Sequence, residues 1–271
     1  MKNKIFVICL KHDENLLSLY QEAHYLDYEV IPVYINRLDN IIKFLDNIIT
    51  VNDHVMVLHT NFGSDVIHYL AQNIKCKRFL NKSAFNQILI GNKQYQQEQV
   101  AIVNPSIVIK TYNKKTIHQS ISMPVIAKPT DGSCGKGVVL LSDIESILKT
   151  PDNYIFQPFI KNDGDWRVVV IGGKSVSAIK RLGNTTKATN NLATGSFALK
   201  ENDPQILESI YKVAEIAANS LHFDYVGIDV IKDINTEKYY FLESNERPTF
   251  ETSQILTGVN IAQKIILELT K

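Results

Sequence analysis

Hydrophobic and polar positions near the start of the chain alternate between two periods. Short continuous apolar runs are typical of buried strands, and they occur at residues 5–10, 30–35 and 55–59. The segments between and after them carry apolar residues at helical spacing, at 14–25, 38–49 and 66–70. Strands that alternate with helices predict right-handed crossovers and therefore a small parallel α/β domain.

Beyond this domain the pattern changes to hairpins and a few amphipathic helices. Asn92 is predicted to cap a polar helix over 94–100, and Gly172-Gly173 to turn a hairpin. The other predicted strands are 106–110, 125–128, 138–141, 154–157, 164–171, 176–181, 225–231 and 239–243, and the other predicted helices are 143–148, 204–221 and 259–269. Residues 61–64 follow the third strand at the edge where open α/β sheets bind ligands, although a helix cap at Ser64 is the preferred interpretation.

A glycine-rich turn lies between two apolar strands in the segment VIAKPTDGSCGKGVVLL, residues 125–141. Glycines let a backbone approach a ligand closely, so successive N–H groups of this turn can point at one anion. Lys128 and Lys136 add point charges of the kind that bind phosphate. The turn is neither a Walker A loop nor a dinucleotide fingerprint, because a strand rather than a helix follows it. An ordinary hairpin with solvated lysines is the alternative.

Two carboxylates meet in the last predicted hairpin. Asp229 lies inside an apolar strand, and Glu243 ends the partner strand shortly before Asn245. A turn centred on residues 234 and 235 would place Asp229 opposite about residue 240, so that it reaches Glu243 diagonally. Oxygen ligands of these types suit Mg²⁺ whose shell is completed by phosphates. An ion pair of either carboxylate with Arg167 or Arg247 is the alternative.

Composition excludes several classes of function. The 271 residues carry a net charge of +1, which argues against a general nucleic-acid or membrane-surface binder. No apolar run approaches the roughly 18 residues needed to cross a bilayer, and no cleavage site follows the N-terminus. Three distant cysteines, Cys9, Cys76 and Cys134, favour a reducing cytoplasm over a disulfide framework.

Taken in order, these motifs resemble the ATP-grasp superfamily, and within it the RimK-like amino-acid and peptide ligases. VIAKPTDGSCGKGVVL resembles the family's nucleotide lysine and phosphate-covering loop, and IFQPFI resembles its adenine hinge. GDWRVVVIGG resembles the Asp-x-Arg strand, NNLATG the loop with the catalytic Asn, VGIDVI and FLESNERPTFE the metal strands, and TGVNIA the closing helix. The resemblance runs from about residue 91 to 271.

The resemblance implies a fold and its division. The expected class is α/β, of the α+β ATP-grasp type, in which a parallel pre-ATP-grasp domain over residues 1–88 precedes an ATP-grasp domain over 89–271. The latter is expected to hold a small lid subdomain at about 110–158 and a C-terminal subdomain at about 159–271, both built on antiparallel sheets. An exposed apolar face on the first domain would suit a homodimer.

The resemblance also implies an activity. A carboxylate substrate takes the γ-phosphoryl group of ATP, and an amine acceptor then displaces phosphate to form an amide, with Mg²⁺ as the cofactor. The nucleotide would contact Lys93, Lys128, Gly132, Ser133, Gly135, Lys136, Gly137, Gln157, Pro158, Phe159, Ile160 and Asp165. The metal would bind to Asp229, Glu243 and Asn245, and the catalytic residues would be Arg167, Arg181 and Asn191. A modifier of a ribosomally made peptide or protein tail, and a silent nucleotide-binding module, are the alternatives.

The chain departs from the family pattern at two places. Thr194, Gly195 and Ser196 follow the catalytic Asn where many relatives have an Arg and two Gly, which leaves one cation fewer near the acceptor. Pro158 stands where RimK-type ligases usually carry an acidic residue, so recognition of the ribose is expected to shift to Asp165 or to another residue. Residues 183–196, rich in Asn, Thr and Gly, are expected to form a lid over the site, with a solvent loop as the alternative.

Overall fold

The first sheet of the computed structural model is parallel, as the alternating pattern predicts. The structure describes residues 3–34, 41–60, 62–117, 121–132, 135–182 and 197–271. The strands of the first sheet are β1 (Asn3–Cys9), β2 (Tyr28–Tyr34), β3 (His54–Val57) and β4 (Arg78–Phe79), in the order β2-β1-β3-β4. The helices that connect them are α1 (Leu16–Tyr25), α2 (Ile41–Ile48) and α3 (Ser64–Asn73). The predicted cap at Ser64 is wrong, because α3 begins at Ser64 itself, after Gly63, and has no side-chain cap.

Two helices connect the first sheet to the rest of the chain. They are α4 (Lys82–Phe85) and α5 (Lys93–Val103). Asn92 caps α5 as predicted, because its side chain accepts a hydrogen bond from the Tyr95 N–H at 3.1 Å. The strand predicted at 106–110 is wrong. Pro105–Ile107 form a 3-10 turn, which the Asn104 side chain caps by accepting from the Ser106 N–H.

The glycine-rich hairpin belongs to a small antiparallel sheet. Its strands are β5 (Tyr112–Asn113), β6 (Val125–Pro129), β7 (Val139–Leu141) and β8 (Tyr154–Pro158), in the order β5-β8-β6-β7. Helix α6 (Ile144–Lys149) begins after Asp143, whose carboxylate accepts from the Ser146 N–H at 2.7 Å. A separate hydrophobic cluster, which includes Val125, Ile147 and Phe156, supports this sheet.

A large antiparallel sheet carries the two expected carboxylates. Its strands are β9 (Asp165–Ile171), β10 (Lys174–Leu182), β11 (Phe197–Lys200), β12 (Tyr225–Lys232) and β13 (Tyr239–Asn245), in the order β11-β10-β9-β12-β13. The helices of this part are α7 (Pro204–Ser220), α8 (Glu251–Thr257) and α9 (Ile261–Leu269). Asp203 caps α7, and Pro204 takes its first turn, where a missing N–H costs nothing.

Hydrophobic side chains of the first sheet and the large sheet pack together. One cluster joins Phe6 and Phe85 to Val168, Val226 and Ile228. Trp166 belongs to the same cluster and is 1% exposed, and its Nε1 donates to Glu201 Oε2 at 2.8 Å, so it packs in the core. The domain limits given above stay predictions. Within the described ranges, no helix is long and apolar enough to cross a membrane.

Candidate active site

A cleft of about 530 Å³ opens between the small sheet and the large sheet. It collects most of the side chains that the sequence singles out. Those that line it are Lys93, Lys128, Gly132, Gly135, Lys136, Gln157, Pro158, Phe159, Ile160, Asp165, Arg167, Arg181, Asp229, Glu243 and Asn245. Gly137 lies in the hairpin turn but not in the lining. Ser133, Asn191 and the rest of the expected lid at 183–196 fall outside the described residues.

Asp229 lies at the centre of the polar floor of the cleft. It is 2% exposed and is paired across β12 with Arg167 on one side and Glu243 on the other. Arg167 Nε donates to Asp229 Oδ1 at 2.5 Å, and Arg181 Nη2 lies 2.9 Å from Asp229 Oδ2. Burial alone would raise the pKa of Asp229, but the two guanidinium groups outweigh it and hold that pKa below its usual value. The carboxylate therefore stays charged.

A β-bulge brings Glu243 directly opposite Asp229. Val230 pairs with Phe241 whereas Asp229 pairs with Glu243, so Leu242 is an extra residue in β13. The expected diagonal placement, with Asp229 facing about residue 240, is therefore wrong. Lys232 pairs with Tyr239, so the hairpin is centred between residues 235 and 236 rather than 234 and 235, and the bulge adds one further residue. The bulge turns both Leu242 and Glu243 towards the cleft, as bulges near functional sites commonly do.

Asn245 and Glu243 extend the polar set along β13. Asn245 Nδ2 donates to Asp229 Oδ2 at 3.3 Å, and Glu243 Oε2 lies 3.6 Å from Lys93 Nζ. The side chains of Asp229, Glu243 and Asn245 thus line the same cleft. In the described part of the chain no group of three or more His, Cys, Asp or Glu side chains could hold a metal. A cation at Asp229, Glu243 and Asn245 would therefore need further oxygens from a ligand or water.

Glycine at position 227 makes room for Arg167. A Cβ atom there would lie 2.9 Å from Arg167 Cδ and 2.9 Å from Pro248 Cβ. Any larger residue would push the Arg167 side chain away from the path that leads it to Asp229. The apolar strand VGIDVI thus has a glycine two residues before its aspartate for a steric reason.

Asp165 and Arg181 form a second buried pair beside the first. Arg181 Nε donates to Asp165 Oδ1 at 2.6 Å, and the two side chains are 8% and 6% exposed. Burial raises the pKa of Asp165 to about 6, against the opposing effect of Arg181. Burial would lower the pKa of Arg181, but Asp229 and Asp165 more than offset it and the pKa rises. In this arrangement the Asp165 carboxylate fixes Arg181, and its expected contact with a ribose stays a prediction.

Two lysines connect the hairpin turn to the carboxylates. Lys93 Nζ donates to the Gly132 carbonyl at 2.5 Å, and the Lys93 N–H donates to Thr130 O at 2.9 Å. Lys128 is 5% exposed at the end of β6. Burial lowers the pKa of Lys128 to about 8, against the opposing effect of Glu243.

The expected hinge forms the apolar part of the cleft. The lining there includes Phe159 and Ile160 with Ile126, Ile231 and Leu242. Some backbone groups are already used, because the Phe159 N–H donates to Pro124 O and the Ile160 carbonyl accepts from Asn162 Nδ2. Gln157 is turned inward and its Nε2 donates to Thr111 Oγ1 at 2.7 Å. This apolar slot can bind a flat apolar ring. Few of its backbone N–H and C=O groups remain free to hydrogen-bond to such a ring.

Part of the lining has no counterpart in the sequence-based set. These residues include Glu14 after β1, His59 after β3, and Arg247, Thr249 and Thr252 after β13. Glu14 and His59 follow strands of the parallel sheet at the carboxyl edge, which is the signal that could have pointed to them. Arg247 was considered only as a partner of Asp229 or Glu243, whereas its ion pair is with Glu246 at 3.0 Å.

Comparison with protein families and curated proteins supports one relationship. Residues 71–269 match the family model described as a RimK-like ATP-grasp domain. A probable alpha-L-glutamate ligase of Psychromonas ingrahamii is 33% identical over 157 residues, which are 55% of this chain and 50% of that protein. One from Pasteurella multocida is 27% identical over 225 residues, 78% of this chain and 70% of that protein. The chain thus spans half of the Psychromonas protein.

Solved structures share the fold over nearly the full chain. A D-alanine–D-alanine ligase from Bacillus anthracis, complexed with ATP, superposes with a TM-score of 0.70 at 14% identity, over 99% of this chain and 96% of that one. The ATP-grasp ligase PsnB, complexed with a phosphomimetic variant of its minimal precursor, Mg and ADP, gives 0.69 at 13% identity, over 100% and 98%. At these identities the likeness concerns the fold alone.

Proposed function

Because the chain belongs to the RimK-like ATP-grasp family, we propose that it is an ATP-dependent carboxylate–amine ligase that forms an amide bond and releases ADP and phosphate. The observation that carries the proposal is the shared cleft, in which the lysines of the glycine-rich hairpin face the carboxylates of β12 and β13. The named relatives are probable alpha-L-glutamate ligases, so an amino acid or a peptide is the proposed class of substrate.

The nucleotide occupies the half of the cleft near the small sheet. Its base lies in the apolar slot at Phe159, Ile160 and Leu242, and its phosphates lie against Lys93 and Lys128. The hairpin turn with Gly132, Gly135 and Lys136 covers the phosphates, since its backbone can approach them closely. The burial of Lys128 supports this placement, because an anion beside it would stabilise the charged form.

Magnesium fits the oxygen set of β12 and β13. Asp229, Glu243 and Asn245 would hold it, and the phosphates would complete its shell, as is usual for this ion. Held there, the ion would supply positive charge that neutralises the phosphate oxygens during transfer. In its absence Asp229 accepts from Arg167 and Arg181, and both guanidinium groups are therefore within reach of the same phosphates.

The residues of this chain position the reacting groups and balance their charge. A carboxylate oxygen of the substrate attacks the γ-phosphorus, and the bond to the ADP oxygen breaks. The amine then attacks the acyl carbon, inorganic phosphate leaves, and the amine loses a proton. Arg167 and Arg181 stabilise the charge on the transferred group, and Asn191 is proposed to hold the acyl phosphate oxygens. Exclusion of water protects the acyl phosphate, which is the role proposed for residues 183–196.

A substrate screen tests the proposal. Amino acids and short peptides are supplied in pairs with ATP and magnesium, ADP is quantified by chromatography, and the product is identified by mass spectrometry. We expect ADP and an amide, and Glu243→Gln is expected to lower turnover by about 10³-fold while the thermal transition stays in place. AMP with pyrophosphate, or full activity in the Glu243 variant, would contradict the mechanism. If only peptide acceptors give turnover, the alternative function is favoured, in which the protein modifies a ribosomally made peptide or protein tail.

Two finer expectations accompany the proposal. A cytoplasmic location is supported by the free thiols of Cys9 and Cys76 and by the need for ATP. A homodimer is supported by exposed aromatic side chains on the first sheet and its helices, among them Tyr25 and Tyr34. Size-exclusion chromatography with light scattering decides the oligomeric state.

A further inference from the structure

Arg247 is fixed on a wall of the cleft by partners other than Asp229 of β12 and Glu243 of β13. Its Nη1 donates to Thr60 Oγ1 at 2.7 Å and to Phe62 O at 3.4 Å. Its Nη2 donates to Glu246 Oε1 at 3.0 Å. The side chain is 16% exposed and lines the cleft. The segment after β3 and the residue before Arg247 therefore fix the guanidinium without covering it.

The guanidinium keeps donors for a ligand. A guanidinium carries five N–H donors, and three hydrogen bonds to Thr60, Phe62 and Glu246 are formed. Among the described residues, no acceptor serves the remaining two. A planar cation with two donors left, whose position is already fixed, loses little conformational entropy when it binds an anion.

Arg247 does not belong to the charge network that faces the nucleotide. Arg167 and Arg181 contact Asp229, and Lys93 contacts Glu243 and Gly132. The ion pair of Arg247 is with Glu246, on the side of the segment after β3. The cleft therefore has a second cationic position, which the proposed transfer of phosphate does not use.

We propose that Arg247 binds a carboxylate of the substrate that is not the one activated by ATP. A carboxylate fits better than a phosphate, because Glu246 already balances the charge of Arg247 and repels a monoanion less than it would repel a phosphate dianion. The fork of two donors also matches the geometry of a carboxylate. The hydroxyl groups of Thr249 and Thr252 line the same cleft, as does the Glu14 carboxylate, which is complementary to an ammonium group.

This inference rests on the proposed function and narrows the class of substrate. The substrate has a free carboxylate beside an amino group, as in an α-amino acid or at the C-terminus of a short peptide. Both sources present the same chemistry to Arg247.

Binding measurements with matched ligands test the proposal. Calorimetric titrations in ADP and magnesium compare L-glutamate with its α-carboxamide, L-alanine with L-alaninamide, and tri-alanine with its C-terminal amide. We expect a preference for the carboxylate of about 10- to 100-fold, in the range of a hydrogen-bonded charge pair. A preference for the carboxylate among the free amino acids identifies an amino acid as the ligand of Arg247. A preference only in the tri-alanine pair identifies the C-terminus of a peptide.

Variants show whether the preference comes from Arg247. Arg247→Met is expected to abolish the preference by weakening only the carboxylate member of each pair, and Arg247→Lys to restore part of it. Arg78→Met is the matched control, since Arg78 bridges Asp224 and Glu268 outside the cleft and should leave the preference unchanged. Thr60→Val, which removes one fixing bond, is expected to lower the preference less than Arg247→Met.

Several results would overturn the proposal. They are the absence of a carboxylate preference in every pair, an unchanged preference in Arg247→Met, and an equal loss of both members of a pair in that variant. The last result would assign Arg247 a purely structural role. Titration of ADP and magnesium alone is measured in parallel, so that failure of the proposed function is distinguished from failure at Arg247. If ADP does not bind, the ligand pairs are titrated without it.

Discussion

At the scale of single residues, Asp229 shows how a buried carboxylate is stabilised by hydrogen-bond donors that a metal ion could replace. Burying a carboxylate is costly unless partners satisfy it. Here Arg167, Arg181 and Asn245 all donate to Asp229, so the charge is stable in the free protein. A bound metal and its phosphates would take over these contacts pairwise, the metal facing Asp229 and the phosphates facing the arginines. The exchange replaces one set of charge pairs by another without leaving a charge alone.

The lowered pKa of Lys128 gives a testable pH dependence. Because the pKa of about 8 in the folded protein lies below the ordinary value of 10.5, the folded state binds fewer protons at this side chain than the unfolded state between those two pH values. The contribution of Lys128 to stability therefore rises with pH across that window. Phosphates beside Lys128 would favour its charged form, so binding of ADP with magnesium at pH 8 is expected to take up about half a proton.

Calorimetry in buffers of different ionisation enthalpy measures this uptake. Lys128→Met should remove it, whereas Lys136→Met should retain it, because Lys136 is exposed on the turn. Proton uptake that persists in Lys128→Met would assign it to another group. Uptake that is absent from the wild type at pH 8 would mean that the phosphates do not approach Lys128.

Sequence reasoning singled out the residues proposed to bind metal and phosphate, which line the cleft, but missed those of the opposite wall. Asp229 and Glu243 are conspicuous, because carboxylates in apolar strands need a reason. Glu14 and His59 carry only the weaker signal of following strands of the parallel sheet, and Arg247 carries no local signal. They reach the cleft only because the segments after β1, β3 and β13 lie together in the fold, and the bond of Arg247 to Thr60 joins residues 187 positions apart.

At the scale of elements, the existence of strands was easier to predict than their register. The hairpin of β12 and β13 was expected, but its bulge at Leu242 was not, because nothing in the alternation of apolar residues demands an extra residue there. The 3-10 turn at Pro105–Ile107 has a similar cause. A side-chain cap from Asn104 and the fixed φ of Pro105 prevail over the apolar run that suggested a strand.

The turn between β6 and β7 depends on glycine at position 137. Gly137 has φ of +76°, and a Cβ there would lie 2.8 Å from the Tyr154 hydroxyl and 2.9 Å from Pro129 Cγ. Gly258 has nearly the same φ, +72°, with nothing within 4 Å of its Cβ position. Gly258→Ala is expected to lose about 1 kcal/mol of stability from φ alone. Gly137→Ala should lose about 2–3 kcal/mol, because steric overlap adds to the strain.

Thermal denaturation of both variants measures the difference, and titration with ADP shows its consequence. Only Gly137→Ala is expected to weaken ADP binding, since only its turn is proposed to cover the nucleotide. Equal stability of the two variants would mean that the turn adapts to a side chain at position 137. If Gly258→Ala also weakens ADP binding, the affinity for ADP does not report specifically on the shape of the turn between β6 and β7.

At the scale of the whole molecule, the fold and the family were predictable because several weak motifs occur in a fixed order. The parallel first sheet, the two antiparallel sheets and the match of residues 71–269 to the RimK-like model confirm them. The packing between the first sheet and the large sheet was not predictable. It depends on contacts such as those of Asn81, which joins segments 144 positions apart and has no periodicity that a sequence could display.

Asn81 provides a test of how these parts are held together. It is 3% exposed and has φ of +65°, and its side chain bonds the backbone of Tyr225 as a neighbouring strand would. Nδ2 donates to Tyr225 O at 2.7 Å, and Oδ1 accepts from the Tyr225 N–H at 2.8 Å. Asn81→Ala leaves both backbone groups buried without partners and adds the strain of a left-handed alanine. We expect a loss of about 3 kcal/mol or more in the free energy of unfolding.

Asn81→Gly separates the two causes, because it removes the same hydrogen bonds but tolerates the positive φ. It should be more stable than Asn81→Ala by about 1 kcal/mol and still well below the wild type. Denaturant unfolding, followed by the fluorescence of Trp166 in the shared hydrophobic cluster, measures all three proteins. If Asn81→Gly equals the wild type, the hydrogen bonds to Tyr225 contribute nothing and conformation alone selects Asn81. If it equals Asn81→Ala, the backbone strain is negligible and the contact with Tyr225 carries the whole effect.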